Sequence, residues 1–481
     1  MCHSAPSMHR QALPVSKLPS ELAGLCSATR SNGGSCLAKY DATGAVQLVF
    51  HVEHTTEHLR KNATVKSVAL KDPCACNETS TSGCFALKRL HRGTSQASTP
   101  RFKMRFRQLP PKEALRRLSS HGRPLSDVVT TPTHSMLEAI QNTTLLDDVF
   151  AEDATTNSLE SHMAKLTQHE AALFVLSGTM GNQLALRSHL LQPPHSILCD
   201  YRAHILEWEA GGAASLSQAL VKGVVPQNGV YLTLEDIQKN VVIGDEIHGC
   251  PTKVISLENT LGGTIMPLEE VKRISAFARE HDIKMHLDGA RIWEAVVAGA
   301  GSLPDYTTQF DSASLCFSKG LGAPVGSILV GKQKFIKHAR WVRKSIGGGL
   351  RQSGVVTAAA RIAVDQTFGR GPNGEGGLLK QSHVTAKRIA DLWTEMGGKL
   401  EKPTETNMVW FDLDDVGLPV DEFVEIGKAH GLKFLGPRLV VHYQIGGEAV
   451  SRLEMVLKEV MERKGTNGKV EKKVGEKAYG T

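Results

Sequence analysis

The sequence predicts an α/β fold: a large, mainly parallel sheet with helices on both faces, followed by a smaller α+β unit. Three observations carry this. Short apolar runs of strand length recur along the chain, helical patterns separate several of them, and the glycine-rich "GRGPNGEGG" opening at Gly369 interrupts the alternation.

The runs are "EAALFVL", "HSILCD", "IKMHLDG", "ASLCFS" and "GSILVG", and "LEEVKRISAFAREH" is the clearest helical spacer. The chain then closes with "RLVVHYQIGGEAVSRLEMVLKEVMERK", which reads as a strand and an amphipathic helix. The expected organisation is therefore an extension over 1–118, mostly disordered, and a large domain with its N-terminal segment over 119–369. A small C-terminal domain over 370–463 and a flexible tail over 464–481 complete it.

Composition bounds the function. A chain of 481 residues with 41% hydrophobic and 22% charged residues can bury a large core. No stretch approaches the roughly 18 uninterrupted apolar residues that cross a bilayer, so no membrane partner is expected. The net charge of +7 is local: residues 1–118 carry 18 Lys and Arg against 7 Asp and Glu, and the rest carries 38 against 42. A basic extension on a mildly acidic body does not point to nucleic acid. The nine cysteines form neither a disulfide framework nor a paired metal motif. The expected compartment is the cytoplasm, with a mitochondrial location as the alternative if the extension is a transit segment.

Ligands of open α/β sheets gather at the carboxyl ends of the strands. After "AALFVL" comes Ser177-Gly178-Thr179-Met180-Gly181-Asn182, small residues opening a helix, which suits either a phosphate or a plain N-cap. After "IKMHL" comes Asp288-Gly289-Ala290-Arg291, where an acid and a cation stand three residues apart; a structural ion pair is the alternative. After "ASLCF" comes Ser318-Lys319, where a surface lysine in a turn is the alternative. Taken together, these supply what pyridoxal 5'-phosphate requires: an amine for a Schiff base, a carboxylate to keep the pyridine nitrogen protonated, and an anion site. His204, in "AHILEWEAGGAA", adds a ring able to stack on the cofactor and exchange protons.

These blocks, with "LSDVVTTPTHSMLEAI", "DDVFAEDATTNSLE", "SLENT" and "RKSIGGGLRQSG", resemble the low-specificity L-threonine aldolases, pyridoxal-phosphate enzymes of fold type I, the aspartate-aminotransferase fold. The resemblance covers most of residues 122–463. It implies that Lys319 is the Schiff-base lysine, Asp288 the pyridine partner and His204 the stacking histidine, with Gly178 and Thr179 on the phosphate. It implies further that Ser126, Arg291 and Arg438 grip the substrate carboxylate, with Arg291 also beside the cofactor. Arg351 would reach a phosphate across a subunit boundary in a homotetramer whose sites lie between protomers.

The implied reaction is retro-aldol cleavage of a β-hydroxy-α-amino acid, L-threonine or L-allo-threonine, to glycine and an aldehyde. His204, or a water it orients, is the first candidate base and Lys319 the second. A β-eliminating lyase, an aminotransferase or a non-catalytic scaffold of the same fold are the competing readings. Three departures stand out. Leu261 takes the place of a histidine that touches the β-hydroxyl in many members, Leu125 that of an arginine, and Leu146 and Ala151 those of glycines.

Overall fold

A computed structural model describes residues 34–40, 46–52, 125–244 and 246–464 of the chain. Within the expected extension it contains β1 (Gly34–Tyr40) and β2 (Val46–Val52), an antiparallel hairpin that the weak periodicity of this region did not announce. The remainder of that extension, and the tail beyond Lys464, lie outside the described residues.

The main body is built on seven strands: β3 (Ala171–Val175), β4 (Ser196–Asp200), β5 (Leu220–Val224), β6 (Thr252–Glu258), β7 (Lys284–Asp288), β8 (Ser312–Cys316) and β9 (Ser327–Gly331). Their order in the sheet is β3-β9-β8-β7-β6-β4-β5, and β9 is antiparallel to both its neighbours while the others share one direction. β3, β4, β6, β7 and β8 therefore end on the same edge of the sheet.

Burial explains the sequence pattern. β4, β8 and β9 are buried at every position, which is why they read as continuous apolar runs and do not alternate. The helices Gly178–His189, Leu268–Glu280 and Gln333–Ser345 cover the sheet. In Leu268–Glu280 the buried positions Val271, Ile274, Ser275 and Ala278 recur at helical spacing.

The glycine-rich segment forms a tight hairpin of β10 (Gly369–Arg370) and β11 (Glu375–Gly376). Beyond it, β12 (Lys399–Leu400), β13 (Met408–Asp412) and β14 (Arg438–Val440) make a three-stranded antiparallel sheet. Helices Leu379–Glu395, Val420–Ala429 and Gly447–Arg463 pack with it around a second core containing Trp393, Phe411, Phe423 and Leu439. Leu125 belongs to this second core, although the sequence assigns its segment to the large domain: its N–H donates to the Lys433 carbonyl at 3.2 Å and its carbonyl accepts from Val440 N–H at 3.0 Å. A buried leucine here serves packing, which accounts for the departure from arginine.

Candidate active site

Neighbouring strands deliver the sequence-predicted residues to one edge. Lys319 follows β8, Asp288 ends β7, Glu258 ends β6 and His204 follows β4. Glu258 and Asp288 stand opposite each other in the parallel register. Helix Gly178–His189 begins beyond β3 with Ser177 as its cap, the Ser177 hydroxyl accepting from Met180 N–H. Among the described residues the N–H groups of Gly178 and Thr179 have no backbone partner, so they remain open to an anion. The glycines let this helix press on β8: a Cβ at Gly178 would lie 2.6 Å from Cys316 Sγ, and one at Gly181 2.2 Å from Ser314 Oγ.

Beneath the site runs a directional chain of hydrogen bonds. The Asn182 amide nitrogen donates to Asp288 Oδ2 at 2.7 Å and to Glu209 Oε1 at 2.8 Å, and Glu209 Oε1 also meets His204 Nδ1 at 2.8 Å. Because both Asn182 amide hydrogens are spent on carboxylates, its carbonyl oxygen must accept, and it does so from His286 Nε2–H at 3.0 Å. His286 Nδ1 is then an acceptor, served by the Ser312 hydroxyl at 2.9 Å, and Ser312 Oγ accepts from His189 Nε2–H at 2.8 Å. Burial holds His286 down at about 4 and His189 at about 3, so both rings are neutral near pH 7, as this direction requires. The relay fixes Asp288 and His204 through one amide.

Electrostatics acts on His204 and on the neighbouring Glu258. Burial alone would lower His204, but its bond to Glu209 and the charges of Asp288, Glu209 and Glu258 raise it above the ordinary value. Burial, with the Asp288 charge beside it, pushes Glu258 up to about 7, while its Oε2 accepts the His204 backbone N–H at 2.9 Å. His204, Glu209 and Asp288 could in principle share a metal. The Asn182 amide donates to both carboxylates from the position between them, which is where a cation would have to sit.

The residues expected to grip a carboxylate also converge. The alternative Asp288–Arg291 pair does not form; the Arg291 fork closes on Asp127 instead, with Nε to Oδ2 at 2.8 Å and Nη2 to Oδ1 at 2.7 Å. Burial raises Asp127, yet the Arg291 charge and hydrogen bonds outweigh it and hold the carboxyl below 3.8. Two of the Arg291 nitrogens are therefore committed within the chain. Arg438 begins β14 and stacks on Trp410, 5.6 Å from the ring centroid, with no ion pair among the described residues. Burial and the Arg291 charge lower it to about 10. Ser126 is buried beside Asp127. Arg351 stands apart from this convergence, exposed and paired with Asp147 at 2.8 Å.

The β-eliminating lyase family model matches residues 125–416. The chain belongs to that family. Within the family its relatives include the aldolase vrtJ of Penicillium aethiopicum, 57% identical over 336 residues, which are 70% of this chain and 85% of that protein. The low-specificity L-threonine aldolase of Candida albicans is 48% identical over 341 residues, 70% of this chain and 89% of its own. The alanine racemase TOXG of Cochliobolus carbonum is 45% identical over 336 residues, 70% and 86%. Among solved structures, the threonine aldolase of Leishmania major aligns over 70% of this chain and 98% of its own with a TM-score of 0.58 and 19% identity, a likeness of fold.

The residues of this family member fit pyridoxal phosphate. A lysine, a buried carboxylate held by two donors (Asn182 and the Ala290 N–H, the latter at 3.1 Å), and an open helix N-terminus face one edge. Asn182, Glu209, Glu258, His286 and Asp127 were not assigned as site residues from the sequence. Asn182 and Glu209 lie inside quoted motifs, one helical turn past Gly178 and five residues past His204, and that proximity was the available signal.

Proposed function

We propose that the chain is a pyridoxal-phosphate-dependent aldolase that cleaves L-threonine and L-allo-threonine to glycine and acetaldehyde. The observation that carries the cofactor reading is the arrival of Lys319, Asp288 and His204 at the ends of neighbouring strands beside the open N–H groups of Gly178 and Thr179. The names of its relatives support the reaction itself.

Lys319 supplies the amine that holds the cofactor, and the Gly178 and Thr179 N–H groups hold its phosphate. Asp288, fixed by Asn182, presents a negative charge to the ring nitrogen. Bound there, pyridoxal phosphate supplies an electron sink for the bond broken at the substrate α-carbon. Arg438 and the remaining Nη1 of Arg291 orient the substrate carboxylate, and Ser126 lies at the same end. His204, its Nδ1 tied to Glu209, offers Nε2 to take the β-hydroxyl proton directly or through a water, and Lys319 is the second acceptor.

A second reading is racemisation or another reaction at the same α-carbon, favoured by the alanine racemase among the relatives. Incubating the cofactor-loaded protein with L-threonine, L-serine and L-alanine separates them: acetaldehyde supports the aldolase, pyruvate with ammonia a β-eliminating lyase, and D-alanine a racemase. We further propose the division at residues 118, 369 and 463, a homotetramer in which exposed Arg351 serves a neighbouring site, and a cytoplasmic location. Among the described residues no helix is long and apolar enough to cross a membrane.

A further inference from the structure

A cavity of about 360 Å³ opens beside His204. Arg202 and Trp208 flank it from the segment after β4, Leu261 and Gly262 from the loop after β6, and Lys402 and Trp410 from the second core's side. The loop is pinned there: Trp410 Nε1–H donates to the Gly262 carbonyl at 2.9 Å and the Thr406 hydroxyl to the Gly263 carbonyl at 2.9 Å. Gly263 needs to be glycine, with φ +85° and Met408 Cβ 2.7 Å from where a side chain would start.

The cavity adjoins the segments that carry two predicted contacts of the substrate: Arg202 is two residues before His204, and Arg438 lies over the same Trp410 ring that forms the wall. A substrate with its carboxylate at Arg438 and its hydroxyl at His204 would direct the remaining β-substituent into this space. The volume falls within the roughly 300–1,000 Å³ of pockets that enclose drug-sized ligands, far more than a methyl group requires.

The apolar walls are two indoles, the Tyr201 ring and a leucine; of the charged groups that line it, Glu207 and Arg202 are engaged within the chain and one cation is left over. Arg202 is satisfied by Asp200, Nη2 to Oδ2 at 2.9 Å. Lys402 is not: among the described residues its Nζ has neither an ion pair nor a hydrogen bond. It lies 4.2 Å from the Trp410 ring centroid and 2.8 Å from where a Cβ on Gly262 would be. Burial and the nearby Arg202 charge lower it to about 8, so it keeps most of its charge at pH 7.

We propose that this cavity receives the β-substituent of the substrate and selects an aromatic group carrying a carboxylate, stacked between Trp208 and Trp410 and read by Lys402. The proposal rests on the retro-aldol reading above. It implies that threonine is cleaved as a small member of a class whose preferred members are bulky.

The test compares L-threonine, β-phenylserine and 4-carboxyphenylserine on the cofactor-loaded wild type and on Lys402→Met, which keeps the stem and removes the charge. The expected kcat/KM rises from threonine through phenylserine to the carboxylated analogue. Lys402→Met should lose roughly tenfold or more on the last, the scale of a hydrogen bond to a charged group, and less than about twofold on phenylserine. A preference for threonine over both aromatic substrates, or an equal loss on all three in the variant, overturns the proposal. Binding of 4-carboxyphenylalanine, which has no β-hydroxyl to cleave, is followed independently through tryptophan fluorescence. If it binds the wild type and roughly tenfold more weakly the variant while no β-hydroxy substrate is cleaved, the pocket stands and the retro-aldol reading falls.

Discussion

At the Asp288 end of the site each side chain of the relay has a hydrogen-bond partner, from His189 through Asn182 to His204. At the other end Arg438 and Lys402 both lie against Trp410 without an ion pair among the described residues. A satisfied buried network has one arrangement and resists change, which suits groups that must hold a cofactor the same way in every turnover. Unpaired cations in an aromatic wall await the ligand to be neutralised. In the proposed reading the first region serves the chemistry common to the fold, and the second the choice of substrate.

Replacing parts of each region should separate these roles, and the largest effect is expected where the two regions meet. Asp127→Asn leaves the buried Arg291 charge unmatched, at a cost of about 3–5 kcal/mol in thermal or denaturant unfolding. The Asp127 carboxyl lies below its unfolded value of 3.8, so its contribution is present above that pH and lost as the pH falls through the lower folded value. Stability curves of the wild type should fall more steeply below pH 4 than those of the variant.

Next comes Asn182→Ala, which removes the amide that bridges two carboxylates. It should cost about 1–3 kcal/mol and raise the pH at which the cofactor's absorbance changes, because Asp288 and Glu209 would face each other unbridged. If stability and spectrum are unchanged, the relay does not position Asp288.

Leu261→His tests the substrate end. One restored hydrogen bond of about 1 kcal/mol corresponds to roughly a fivefold change in the threonine to allo-threonine ratio, with cofactor affinity and melting temperature little altered. An unchanged ratio would assign the hydroxyl to another group.

The smallest effect lies outside both regions. Ala151 occupies the left-handed region at φ +58°, a position for which the resemblance implies glycine, so Ala151→Gly should stabilise by about 0.5 kcal/mol, relief of strain exceeding glycine's added entropy in the unfolded chain.

This contrast also explains what was legible in the sequence. Five of the seven strands, β3, β4, β7, β8 and β9, were readable because burial writes itself as apolar runs, whereas β6 and the only partly buried β5 were not read; Lys319, Asp288 and His204 could be proposed because each comes at or soon after the end of such a run. The relay was not, because its bonds join residues as far apart as Asn182 and His286, a pairing that local pattern does not encode. Leu125 read as an unexplained departure until its place in the second core was visible. Lys402 had no motif around it; its meaning comes from Gly262 and Trp410, brought together by packing.

The most direct test of the central claim measures absorbance and products on the same sample of wild type and Lys319→Ala. The wild type should bind pyridoxal phosphate with a yellow absorbance that the variant lacks, and should convert both L-threonine and L-allo-threonine, but not D-threonine, to glycine and acetaldehyde. A yellow wild type that leaves both L-epimers intact while racemising alanine or releasing pyruvate from serine would contradict the account.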